Sequence, residues 1–166
     1  TCDTPAFATN AIHTWWRRIG ATLYAGAKEM LILADSGSSN GAKAHDWKHG
    51  LQEFANKTGL RIRVAHYPTG ASKWNPVEHR LFGPISINWA GVPLIDYETI
   101  CQKIRHTRTQ SGARCRVVLD RRNWPTKAER EAAGKCVARP LPIKIRHGGV
   151  VPHLNYTISP DGDRRK

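Results

Sequence analysis

Two carboxylates are singled out by where they fall. Asp35 ends the apolar run Met30-Leu31-Ile32-Leu33-Ala34 and opens the loop Ser36-Gly37-Ser38-Ser39-Asn40-Gly41. Glu78 falls within Asn75-Pro76-Val77-Glu78-His79-Arg80-Leu81, and positions 36–77 separate the two acids. An acid at the end of a rigid strand and another in the first turn of a helix can share a divalent cation. A hard ion such as Mg²⁺ takes oxygen ligands and usually only one or two protein carboxylates. Two such ions, about 3.5–4 Å apart, stabilise the attacking and leaving oxygens in phosphoryl chemistry. A third acid is normally needed to build that site.

Each acid has an ordinary reading as well. Asp35 before Ser-Gly can be an Asx turn closing a strand. Asn75-Pro76 is a helix start that puts Glu78 at the third helical position, where a carboxylate reaches back to cap the helix. What favours the metal reading is the order: strand-end acid, Gly/Ser loop, helix, strand, helix-borne acid.

The neighbours of Glu78 suit phosphate handling. Lys73 precedes it, and His79 and Arg80 follow. Trp74 can stack on an unpaired base, or it can pack under its own loop. The run Lys103, Arg105, Arg108, Arg114, Arg116, Arg121, Arg122 is the best candidate for a nucleic-acid surface. His45 and His49 stand four apart, but no third ligand lies at zinc spacing, so they read as a solvated helix face. No P-loop, G-x-G-x-x-G or G-x-S-x-G occurs, which removes support for nucleotide-cofactor and serine-hydrolase chemistry.

The elements that must position these residues are legible in part. Thr4-Pro5 starts a helix; Ala8, Ile12, Trp15, Trp16 and Ile19 form its stripe, and Gly20 is expected to end it. The run 30–34, apolar at every position, predicts a central strand covered on both faces. A helix over 44–57 carries Trp47, Leu51, Phe54 and Ala55 and stops at Gly59. Leu60, Ile62 and Val64 alternate with Arg61 and Arg63, a strand with one basic face. The helix from Asn75-Pro76 runs to Ile85 and should kink at Pro84. Asp96 caps a further helix reaching about 108, with Ile95 and Ile100 as a hydrophobic staple. Cys115–Leu119 reads as a short strand, and Thr126-Lys127-Ala128-Glu129 as a capping box whose helix stops at Gly134. Beyond Pro140 come short extended pieces, Ile143–Ile145 and Asn155–Ile158, and a basic tail, Asp163–Lys166. Alternation of helices and strands in the first half argues for α/β layering.

At 166 residues the chain fits one domain. Its 26 Lys and Arg against 13 Asp and Glu give a net charge of +13, a surplus that favours a polyanionic partner, nucleic acid above all. No apolar run approaches the roughly 20 residues of a membrane helix, and Thr1-Cys2-Asp3-Thr4-Pro5 is no secretory signal. Cys2, Cys101, Cys115 and Cys136 form no C-x-x-C pair, so reduced thiols and a cytoplasmic setting are expected.

Three stretches together resemble the DDE transposases of bacterial insertion sequences, most closely the Rhodopirellula type. They are Leu31–Gly41, Thr69–Phe82 (TGASKWNPVEHRLF, the most specific) and Asn155–Ile158. The resemblance covers nearly the whole chain. It implies a ribonuclease H-like α/β fold, a mixed sheet with flanking helices, and metal-dependent cleavage and strand transfer of DNA. Mg²⁺ or Mn²⁺ would be the cofactor, with Asp35 matching the second catalytic acid and Glu78 the third. DNA at transposon ends and target would be the partner. The contacts expected to hold it are Lys73, Trp74, His79, Arg80, Lys103, Arg105 and Arg108. The full-length protein would be a homo-oligomer at the bacterial nucleoid, with no membrane association. Asp3 leads straight into the first helix and does not match the first acid. The expectation is therefore an N-terminally truncated core over 1–110, lacking its first strands and inactive in this form, with a basic, irregular extension over 111–166. A non-catalytic nucleic-acid-binding protein and a ribonuclease H-like nuclease are the alternatives.

Overall fold

The computed structural model describes residues 3–68, 70–109, 111, 112, 114–133 and 142–163. The chain divides into two compact units, Thr1–Thr69 with Asn123–Lys166, and Gly70–Arg122.

In the first unit, helix α1 (Pro5–Trp15) starts as its sequence predicts, with Thr4 Oγ1 accepting from Phe7 N at 3.2 Å. Gly20 does not end it. The helix passes through a wide turn, Trp16–Gly20, into α2 (Ala21–Leu23). A Cβ at position 20 would lie 2.6 Å from Trp16 Cε3 and 2.9 Å from Trp15 Cζ3, so this glycine makes room for two indoles. Strand β1 (Glu29–Ala34) follows, then α3 (His45–Thr58) and β2 (Arg61–His66). Gly59, at φ +71°, closes α3 by donating to Ala55 O.

The sheet has the order β1-β2-β4-β3, with β1 parallel to β2 and the other pairs antiparallel. Strands β3 (Ile145–His147) and β4 (Asn155–Ile158) come from the region expected to be an irregular extension. They are part of the sheet, because Ile158 and Tyr156 complete the apolar face begun by Ile62 and Val64. Trp47, Leu51 and Phe54 of α3 pack on that face, joined by Ala8, Ile12 and Trp16.

Strand β1 departs from expectation. It stands at the end of the sheet order among the described residues, and its outward side chains Leu31 and Leu33 are 62% and 56% exposed. Only Met30, Ile32 and Ala34 face the core side. A wholly apolar strand was expected to be covered on both faces, and here one face is open.

In the second unit, a short turn (Ser72–Trp74) leads to a helix that begins with a wide turn, Glu78–Phe82, and continues as α4 (Gly83–Trp89). Pro84 causes no break. Gly83 N–H bonds back to Glu78 O, five residues earlier, and Pro84 then sits in the first turn of α4, where a missing N–H costs nothing. Helix α5 (Tyr97–His106) is capped by Asp96, which accepts from Thr99 N at 2.6 Å. Ile95, expected to staple onto Ile100, stays in solvent. Cys115–Leu119 form no strand; among the described residues the pairing nearby is a bridge between Arg108 and Arg114.

Back in the first unit, α6 (Lys127–Ala132) carries the expected Thr126/Glu129 capping box. Its expected stop, Gly134, and the tail residues Arg164–Lys166 lie outside the described residues. Cys101 and Cys115 are free thiols, and Cys2 and Cys136 are likewise not described. No helix among the described residues is long and apolar enough to cross a membrane.

Candidate active site and nucleic-acid interface

Asp35 leaves β1 where the chain turns sharply, with Ser36 at φ +63°, a left-handed conformation uncommon outside glycine. Ser36 Oγ donates to Tyr67 O at 3.2 Å, which ties this turn to the exit of β2. The Asp35 carboxylate is exposed. Its Oδ1 accepts from Gly37 N at 3.1 Å and from Asn40 Nδ2 at 2.9 Å. The Asx turn is therefore real, yet it occupies one oxygen only. Oδ2 has no protein partner among the described residues. The Asn40 amide, ahead of the Gly37 N–H, holds the carboxyl below its ordinary pKa, against the opposing pull of partial burial. Ser38 Oγ donates to Asp3 Oδ2 at 3.3 Å, so Asp3 anchors the same loop.

Beside this loop lies a buried polar chain that local sequence patterns do not reveal. His66 ends β2 in register with Ala34 and is 5% exposed. Its Nε2 lies 3.0 Å from the Tyr156 hydroxyl, which also receives Trp47 Nε1 at 3.0 Å. An indole N–H can only donate. The phenol is then free to give its own proton to His66 Nε2 when the imidazole carries its hydrogen on Nδ1, or to accept a second hydrogen bond from the Nε2–H tautomer. That Nδ1 is buried without a partner among the described residues. Burial first, then the Lys48 ammonium, push the imidazole below its usual pKa, while Asp35 pulls it up. Burial raises Tyr156 to about 12.

Glu78 belongs to the second unit. Asn75 Oδ1 accepts from Val77 N at 3.2 Å, so Asn75 starts the helix as expected. Glu78 does not complete a cap. Its half-buried carboxylate takes no hydrogen bond and no ion pair among the described residues. The capping role that offered its ordinary explanation is thus absent. Both acids keep oxygen available, the donor set a hard divalent ion takes. Among the described residues no three His, Cys, Asp or Glu side chains come together as a ready-made metal cluster. His45 and His49 stack at 6.4 Å between ring centroids, and His49 Nδ1 lies 3.9 Å from Glu53 Oε1.

The basic residues of the second unit separate into two groups. His79 Nε2 donates to Lys73 O at 2.9 Å, and Lys73 Nζ sits 5.1 Å over the Trp74 ring. Trp74 is 71% exposed, which rules out packing beneath its loop. His79 and Arg80 line a cleft of about 710 Å³ together with Arg108 and Ile87. Asn88 braces its wall by donating to Lys103 O and Thr107 Oγ1. Arg108 donates to Arg105 O and Thr107 O, which fixes it at the end of α5. Lys103 and Arg105 lie in the last turn of α5 and do not line the cleft. Of the longer basic run, Arg121 pairs with Glu98, and Arg122 pairs with Asp120 at 2.6 Å. Those two charges are partly spent on carboxylates.

A family model described as the Rhodopirellula transposase DDE domain matches residues 1–160. No curated protein and no solved structure matches the chain.

Proposed function

The chain belongs to the Rhodopirellula-type DDE transposase family, and on that premise we propose that it forms part of a catalytic domain that cuts DNA and joins the ends. The observation that carries this reading is that Asp35 and Glu78 both keep carboxylate oxygen free of protein partners. In this reading Asp35 serves as the family's second acid and Glu78 as its third. The mixed α/β sheet with helices is compatible with a ribonuclease H-like core.

Asp35 and Glu78 would hold Mg²⁺ or Mn²⁺, which in such sites stabilises charge on phosphate oxygens and on the attacking and leaving oxygens. Asn40 and Gly37, by donating to Asp35, favour its ionised form and hold its pKa below the ordinary value. The Asx turn aims its second oxygen away from the bonded one, and the tie from Ser36 to Tyr67 holds that turn against β2. His79, Arg80 and Arg108 around their cleft, with Lys73, Lys103 and Arg105 nearby in the same unit, supply cations for backbone phosphates. Exposed Trp74 offers a face for an unpaired base. DNA at transposon ends and target is the partner in this reading, and the working form is a homo-oligomer at the nucleoid.

The test is cleavage and strand transfer of end-labelled DNA carrying the element's termini, with Mg²⁺ or Mn²⁺, by the protein containing this domain. Asp35→Asn and Glu78→Gln should each abolish both steps while DNA binding persists. Transfer that survives either change would refute the assignment. Cleavage without joining would make the domain a nuclease.

A further inference from the structure

The outward face of the sheet in the first unit carries charge that the site above does not use. Arg63 of β2 and Arg146 of β3 both pair in register with Thr157 of β4. Successive side chains on a strand alternate faces, and the core face takes Ile62, Val64, Tyr156 and Ile158. Arg63, Thr157 and Arg146 therefore form one row on the opposite face. Strands lie about 4.8 Å apart, so the two arginines start roughly 10 Å apart with a threonine between them.

The row is concave. A depression of about 240 Å³ is lined by Arg63, Ala65, Arg146, His147, Asn155 and Thr157 among others. On the β1 side it is bordered by Leu31, which pairs in register with Arg63. Both arginines are exposed and have no carboxylate partner among the described residues. Arg61, two residues earlier on β2, is different: it meets Glu29 at 3.1 Å and Asp163 at 3.4 Å. His147 belongs to the other face: it pairs in register with Tyr156, its ring lies 6.2 Å from the Tyr156 ring, and its Nδ1–H donates to Pro152 O at 2.6 Å.

We propose that this face is a second nucleic-acid surface, in which Arg63 and Arg146 hold phosphates of one DNA backbone across Thr157. The guanidinium fork matches phosphate oxygens in pairs, and two forks set this far apart suit a linear polyanion better than a single small anion. The choice of DNA over an acidic peptide rests on the proposed function; the unpaired charge of the row does not.

The experiment is a fluorescence-anisotropy titration of a labelled random-sequence duplex, repeated from 50 to 200 mM salt. Three proteins are compared with the wild type: R63Q/R146Q, R63K/R146K and R80Q/R108Q. Each phosphate contact contributes about 0.9 to the slope of log affinity against log salt. R63Q/R146Q should therefore lose close to two units of slope, equivalent to a roughly tenfold smaller salt effect over that range. R63K/R146K should keep the slope. Circular dichroism and melting should match the wild type, since both side chains are exposed. An unchanged slope and affinity in R63Q/R146Q would overturn the proposal. If R80Q/R108Q still lost binding in that case, the cleft reading would stand alone. A polyglutamate competitor whose binding, unlike that of DNA, depends on Arg63 and Arg146 would also overturn it, by making the partner an acidic peptide.

Discussion

Asn40 donates its side-chain amide to Asp35 Oδ1 at 2.9 Å, and the other carboxylate oxygen has no hydrogen-bond partner among the described residues. One contact thus lowers the acid's pKa and fixes the direction its free oxygen faces. Asn40→Ala should raise the Asp35 pKa toward the ordinary carboxylate value. A group whose pKa is depressed on folding stabilises the fold above its unfolded value, near 3.8, and loses that contribution as pH falls through the folded value. The variant should therefore lose stability at neutral pH and show a weaker pH dependence below about pH 4. Carboxylate NMR titration reads the pKa directly. Outer-sphere contacts to metal ligands are worth about 10–100-fold in affinity, so Mn²⁺ binding should weaken by a factor in that range. An unmoved Asp35 pKa would show that Asn40 has no such role.

The Trp47–Tyr156–His66 chain makes a separate prediction. Tyr156→Phe removes the one atom that serves both neighbours and leaves an indole N–H and an imidazole nitrogen buried and unpaired. Each orphaned polar group costs about 1–3 kcal/mol, so a clear drop in melting temperature is expected. The pH behaviour follows from His66. Its folded pKa is lowered, so the unfolded chain binds the proton more readily, and stability falls as pH drops below about 6.5 toward the folded value. His13, lowered chiefly by burial, adds the same sign. Melting curves between pH 8 and pH 5 should fall less steeply in His66→Phe than in the wild type. Equal slopes would remove His66 from the account.

The acids were legible because each sits at a boundary that local sequence marks: an apolar run meeting a Gly/Ser loop, and an Asn-Pro helix start. Helix α3 and strand β2 were legible by period. What the sequence hid depends on contacts between distant positions. Nothing near Tyr156 indicates that its hydroxyl would meet Trp47 and His66, and nothing near Arg146 indicates that it would share a row with Arg63. Gly20 and Pro84 misled for a different reason. Both are helix breakers by propensity, and wide turns at 16–20 and 78–82 absorb them. The run 30–34 predicted its own strand but not what lies on each side of it, since neighbours are a property of the sheet.

That open side of β1 carries its own consequence. Exposed Leu31 and Leu33 lie on a strand with no partner along its outer edge among the described residues. Unpaired edges and exposed apolar side chains favour association. The 166-residue chain should self-associate as its concentration rises, and Leu31→Lys with Leu33→Thr should suppress this without changing the core, which lies on the other face. Sedimentation velocity distinguishes the cases. A wild type that stays monomeric into the millimolar range would show that the face needs no cover.

The sharpest test of the metal reading asks whether Asp35 and Glu78 act on one ion or separately. Mn²⁺ binding can be followed by electron paramagnetic resonance in the wild type, Asp35→Asn, Glu78→Gln and the double variant. Residues that hold one ion together show strongly non-additive effects, whereas distant and independent sites add to within about 0.5 kcal/mol. If the two acids share the ion, either single change should remove most of the binding, and the double change should add little. If each acid binds on its own, the losses should sum. The free Oδ2 of Asp35 and the uncapped carboxylate of Glu78 leave each acid an oxygen for a metal ion. Additive losses would separate the acids and leave the DNA-binding surfaces as the part of the proposal still standing.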